Sequence, residues 1–183
     1  QCVAEGLAGL LLVDMVQPGF PVIVGPWPFV SDLRTGAFTG GSGEAAVASA
    51  GAAQMVNYYG LPSSVGAGMT DAKSPDCQAG YEKALAVALA AHAGCNNISE
   101  SAGMLGSLMA LSLEAMVIDN DMLGAVLRTV RGIEVNDETL SLDVIERVVH
   151  GEGHYLRTGQ TLGLMRTEYE YPALADRRTP GEW

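Results

Sequence analysis

The sequence predicts an α/β fold of parallel strands and intervening helices, on three observations. Short apolar or small-residue runs recur at residues 20–24 (FPVIV), 63–67 (SSVGA) and 94–99 (GCNNIS). Ala- and Leu-rich helical stretches of roughly 15 residues separate them, the βαβ pattern of a parallel sheet. Each run opens into a polar or Gly-rich loop before the next helix, and such connections are right-handed. Three strands do not close a barrel, which takes eight. The chain therefore reads as the second part of a barrel or as an open doubly wound sheet.

The elements follow in order. Residues 4–16 predict a helix with Leu7, Leu10 and Leu11 on one face, ended by Pro18-Gly19. The continuous apolar run 20–24 predicts a strand buried on both faces. Residues 25–43 form a long Gly- and Pro-rich loop, a length usually reserved for function. Helices are expected at 44–59, ended by Gly60 and Pro62, and at 78–93. Residues 107–131 read as nearly continuous helix, interrupted near 119–121, and 137–149 as a shorter one. Residues 151–183 read as an irregular tail of the same domain, so that residues 1–150 hold the βα repeats and C-terminal helices.

Composition narrows the function classes. The chain has 183 residues, is 48% hydrophobic and carries a formal net charge of −11. That is enough for a domain with a real core. The acidic balance argues against nucleic acid or an anionic membrane surface as partner. Cys2, Cys77 and Cys95 are odd in number and widely spaced; reduced thiols in a cytoplasmic protein fit them best, and no metal site is indicated. His150 and His154 have a helical ligand spacing, but Gly151 and Gly153 between them favour a solvated turn. The apolar run at the start is broken by Glu5 and Asp14 and is too short to span a bilayer. The opening reads as the inside of a helix, as in a piece of a longer protein.

The loop after the second strand carries Thr70, Asp71, Lys73 and Asp76. In a parallel sheet, chemistry sits on such loops. The plain alternative is a solvated loop in which Ser74 or Asp76 caps the next helix. Glu100 stands in the equivalent place after the third strand. Gly40, Gly41 and Gly43 precede a helix but lack a P-loop lysine, so a flexible hinge is the expected use.

Five segments carry a family resemblance: DLRTGAFTGGSGE (32–44), YYGLP (58–62), GMTDAKSPDCQAGYEK (68–83), GIEVNDETLSLDVI (132–145) and YEYPALADRRTPGEW (169–183). Together, and in order along nearly the whole chain, they resemble the C-terminal part of the trimethylamine methyltransferase family. The resemblance implies a TIM barrel whose N-terminal strands lie outside this chain. It also implies methyl transfer from a methylated amine to the cobalt of a corrinoid held by a separate protein, so that this chain binds no cofactor directly. The family divides into members that carry pyrrolysine and act on trimethylamine, and members without it that act on quaternary amines such as glycine betaine. The ordinary residues present here favour the second kind.

On that reading Asp71 and Glu100 stabilise the ammonium, and Trp27 or Phe29 packs on its methyl groups. Arg34 or Lys73 would meet the carboxylate of a betaine, with Thr70 beside them. The plain alternatives are core anchoring for Trp27 and Phe29, and an Arg34–Asp32 ion pair within the loop. A homo-oligomer is expected. Two competing readings remain: an inactive assembly fragment, and an unrelated barrel enzyme using Asp71, Lys73 and Glu100 as acid, base and orienter on a small polar metabolite.

Overall fold

The computed structural model of the chain describes residues 1–151 and 153–183. They divide into two compact units, Gln1–Val126 and Leu127–Trp183. In the first unit, α2 (Gly43–Tyr58) and α3 (Cys77–His92) flank a small parallel sheet. Its strands β1 (Ser64–Gly66) and β2 (Asn97–Ser99) pair with Ser64 opposite Asn97 and Gly66 opposite Ser99. Val24 joins the other side of β1 through a parallel bridge to Ser63. The three expected strands are thus neighbours and all parallel, which makes the unit α/β.

The helices form where the sequence expects them because caps and small residues agree. The Ser42 side chain accepts the N–H of Ala45 at 3.2 Å, and Asp76 accepts that of Ala79 at 3.0 Å. At the end of α3, Gly94 turns with φ +83°, and the Cys95 N–H reaches back to the Ala90 carbonyl at 3.2 Å, a Schellman-type stop. The core is assembled from Ala46, Ala52, Ala53, Val65, Ala67, Ala86, Val87, Ala90 and Val126. Alanine on both facing helices lets their backbones approach closely, because interaxial distance follows side-chain size. On α3 the buried positions are Ala79, Glu82, Lys83, Ala86, Val87 and Ala90, a stripe at helical spacing that includes an acid and a base.

Several expectations are corrected. Residues 20–24 are not buried on both faces: Phe20 and Ile23 are 53% and 61% exposed, and only Val24 is buried. That run has one paired neighbour, so a single bridge replaces a full ladder. The first helix, α1 (Cys2–Val16), forms, but Leu11 is exposed and the helix buries no residue fully. Residues 107–112 are not helical. They belong to a tight hairpin of β3 (Met104–Leu105) and β4 (Ala110–Leu111), paired antiparallel. The following helix α4 (Leu113–Arg131) runs uninterrupted through Asp119, which is buried. Ser112 caps it, accepting the N–H of Ala115 at 3.0 Å.

In the second unit the expected helix 137–149 is split at Ser141, where φ is +56°, into α5 (Asp137–Leu140) and α6 (Leu142–Val149). Asn136 and Thr139 form a reciprocal capping box on α5. His150 closes α6. The tail is not wholly irregular, since α7 (Gly159–Leu164) forms within it. Arg128 and Arg131 both reach Glu168, each at 3.2 Å. Among the described residues, no helix is long and apolar enough to cross a membrane.

Candidate functional site

Three loops meet at the C-terminal end of the parallel strands: residues 25–42 after Val24, 67–76 after β1, and the segment with the hairpin after β2. Gly68 has φ +90°, and a Cβ there would lie 2.6 Å from Cα of Ser101. Only glycine allows that contact between the second and third loops.

Asp71 ties the same loops together. Its carboxylate accepts the N–H of Gly40 at 2.9 Å and of Gly41 at 3.4 Å. It also accepts the hydroxyls of Thr39 and Ser107. Burial pushes the Asp71 carboxyl up, but these four donors together outweigh burial and hold it below the ordinary aspartate value. It is therefore ionised at neutral pH, with three donors on Oδ1 and one on Oδ2. The hairpin tip is fastened to the same loop. The Ser107 N–H donates to the Thr70 carbonyl and the Gly106 N–H to the Ala72 carbonyl, both at 2.7 Å. Ser107 and Leu108 hold φ values of +53° and +74°, a conformation that non-glycine residues keep only when surroundings impose it.

Below Asp71 lies Glu82, buried on α3. Its Oε2 accepts the Thr70 hydroxyl at 2.5 Å and the Asp71 N–H at 2.9 Å, while Oε1 accepts from Gln78 at 2.9 Å. Gly40 and Gly41 do not form a hinge. Both are buried, and Cβ atoms there would meet Met69 at 2.7 Å and Glu82 Oε2 at 2.1 Å respectively. Next to Glu82, the buried Lys83 ammonium meets Asp119 at 2.6 Å, and the same Asp119 oxygen accepts the Gly103 N–H at 2.7 Å.

The other sequence candidates fall around this knot. Trp27 packs on Gly66, where a Cβ would lie 3.3 Å from its ring. Phe29 is 66% exposed, with its ring 6.5 Å from Trp27 and 5.2 Å from Phe38. Thr70 is fully buried and binds Glu82. The exposed Lys73 donates to the Asp71 carbonyl at 2.6 Å. Arg34 meets Asp32 at 2.6 Å, and that guanidinium lowers the Asp32 carboxyl to about 2. Glu100 is half-buried with φ +60°, one residue before the Gly68 contact. Thr70 is thus turned inward to Glu82 while Lys73 stays exposed beside Asp71, Trp27 and Phe29 lie near each other, and Arg34 is turned to its loop partner.

Asp71 opens onto two clefts. One of about 830 Å³ is lined by Phe29, Asp32, Arg34, Glu44 and Glu82 among others. The second, of about 530 Å³, is lined by Phe38, Lys73, Ser107 and Met109 among others. Carboxylates beside aromatic rings suit a small organic cation. Among the described residues, no cluster of three or more His, Cys, Asp or Glu is arranged to hold a metal ion. Thr39, Ser107 and Glu82 were not candidates from sequence. Glu82 alone left a signal, an acid on the buried stripe of α3.

Comparisons with known proteins agree with the residue pattern. The family model described as trimethylamine methyltransferase (MTTB) matches residues 1–183. A glycine betaine methyltransferase of Desulfitobacterium hafniense (strain Y51) is 37% identical over 180 residues, covering 98% of this chain and 37% of that protein. The trimethylamine methyltransferase MttB of Methanosarcina thermophila is 41% identical over 183 residues, covering 98% of this chain and 37% of that protein. The trimethylamine methyltransferase MttB of Desulfitobacterium hafniense (strain DSM 10664 / DCB-2) is 36% identical over 179 residues. The chain spans little more than a third of the length of these relatives and belongs to the trimethylamine methyltransferase family.

Proposed function

We propose that this chain is part of a methyltransferase that takes a methyl group from trimethylamine or a quaternary amine such as glycine betaine and delivers it to cobalt(I) of a separate corrinoid protein. One observation carries the reading: the chain aligns almost end to end with methyltransferases named for each of these amines. The parallel order of Val24, β1 and β2, with helices between, supports a C-terminal portion of a TIM barrel, with the site at the C-terminal ends of its strands.

The corrinoid of the partner protein is the methyl acceptor and supplies the nucleophile. This chain's residues hold and desolvate the amine. Asp71, kept ionised by its donors, and Glu100 offset the ammonium charge, and neither acts as nucleophile. Trp27 and Phe29 present aromatic faces to the methyl groups. Lys73, which lines a cleft with Asp71, faces a betaine carboxylate, with Arg34 as the alternative only if it leaves Asp32, and Thr70 fixes the loop that carries Asp71. A quaternary ammonium departs as a neutral amine, so orientation and a dry pocket suffice. This favours a quaternary amine and a pyrrolysine-free member.

The test is methylation of a cobalt(I) corrinoid protein by the full-length enzyme, offered trimethylamine, glycine betaine and other methylated amines and followed by visible absorption. Transfer from at least one amine is expected. No transfer from any of them, with folded enzyme and active acceptor, removes the reading.

A further inference from the structure

We infer that Glu82 is the positioning residue of this site, acting through Asp71. This rests on the methyl-transfer reading for its functional consequence, but its structural basis is independent. Glu82 is a buried carboxylate whose partners are neutral donors: the Thr70 hydroxyl, the Asp71 amide and the Gln78 side chain. Its sequence neighbour Lys83 gives its ammonium to Asp119 instead. Burying a carboxyl group is costly unless its oxygens are hydrogen-bonded, and core packing alone would be served by an apolar residue on that stripe. The hydrogen-bonding pattern shows what the carboxylate does. One oxygen takes the side chain of Thr70 and the backbone of Asp71, so it fixes two successive residues in the middle of the loop that follows β1.

The effect passes through Asp71 to the rest of the site. With its backbone held by Glu82, the Asp71 carboxylate gathers Thr39, Gly40 and Gly41 from one side and Ser107 from the other. The backbone at Gly41 also lies directly against Glu82. On the next residue, Lys83 anchors Asp119, which holds Gly103 at the base of the hairpin. Two consecutive buried side chains of α3 therefore set the two loops that follow β1 and β2. A shift of about 1 Å in such supports costs roughly a hundredfold in rate.

The test compares full-length wild type, Glu82→Gln and Glu82→Ala. Amide hydrogen exchange is read at Asp71, Gly40 and Val65, alongside kcat and KM for corrinoid methylation. Exchange at Asp71 and Gly40 should accelerate in the order Glu, Gln, Ala, with Val65 unchanged. Glu82→Ala should raise the amine KM and lower kcat/KM by roughly a hundredfold, and Glu82→Gln should recover most of it, since an amide oxygen still accepts at that place. Glu82→Ala with wild-type exchange at Asp71, or Gln and Ala variants equally impaired, overturns the inference, as does a loss confined to the folded fraction with KM unchanged. If Glu82→Ala does not fold, Glu82→Gln alone must show faster exchange at Asp71 and Gly40 than wild type, and equal rates overturn it. Inactive wild type with the exchange pattern intact would instead sink the methyl-transfer reading and leave the positioning role standing.

Discussion

Asp71 and Gly40 are joined by a hydrogen bond of 2.9 Å from the Gly40 N–H to Oδ1 of the aspartate. It links the loop after Val24 to the loop after β1. The same carboxylate accepts the Ser107 hydroxyl from the hairpin, so one side chain joins three loops that are distant in sequence.

Ser107→Ala should destabilise the full-length protein by about 1.5–3 kcal/mol, the usual worth of a hydrogen bond to a charged group. Ser107→Gly loses the same hydroxyl but suits the positive φ of this position, where a Cβ costs roughly 1–2 kcal/mol. Denaturant midpoints should therefore rank wild type, then Gly, then Ala. Ala as stable as Gly contradicts the backbone argument.

Gly68→Ala meets two obstacles, the left-handed backbone and the Ser101 Cα at 2.6 Å. The backbone alone costs roughly 1–2 kcal/mol, and the clash forces the second and third loops apart. Lower thermal stability and a reduced methylation rate are both expected. Wild-type values for both in the same preparation would show that the loops do not depend on this contact.

Lys83→Met or Asp119→Leu alone leaves an unpaired buried charge and should cost about 3–5 kcal/mol. The double variant should be less destabilised than the sum of the singles. It still leaves the Gly103 N–H without its acceptor, a residual cost of about 1–3 kcal/mol. Urea unfolding of the four proteins in a double-mutant cycle measures the coupling, and simple additivity argues against a functional pair.

Asp71 gives a pH signature. Its folded carboxyl lies below the ordinary 3.8, because its hydrogen-bond donors outweigh burial, so folding favours the ionised form. The stability it contributes is complete above the unfolded value and is lost as pH falls through the folded one. Asp71→Asn lacks this titration. The stability gap between wild type and variant should therefore shrink on acidification from about pH 6 to pH 2. A gap that stays constant across that range would mean that the carboxylate's charge contributes nothing.

Much of the scaffold was legible in the residues. The small-residue stripes of α2 and α3, the Asp76 cap and the order of the three parallel runs all follow from local pattern. What escaped has physical reasons. Leu108, Met109, Leu111 and Leu113 mimic helical spacing, yet positive φ at Gly106, Ser107 and Leu108 folds the first of them into a hairpin imposed by bonds to residues 70–72. Ser141 breaks a continuous helical pattern through a backbone angle that composition does not encode. Asp119 read as a helix interruption because its partner, Lys83, is distant in the chain. Asp71 was visible as a loop carboxylate, but its donors Thr39 and Ser107 come from other loops, and only folding brings them to it.

The most direct measurement of the account is the corrinoid methylation rate of full-length Asp71→Asn against wild type, across a panel of methylated amines. Removing a charge that faces a desolvated cation costs about 2–5 kcal/mol, a slowing of roughly 30-fold to several thousandfold. The account predicts such a loss, with a raised amine KM and retained secondary structure. Near-normal turnover of Asp71→Asn on any amine that wild type uses well would contradict it and leave Asp71 as a clamp between loops.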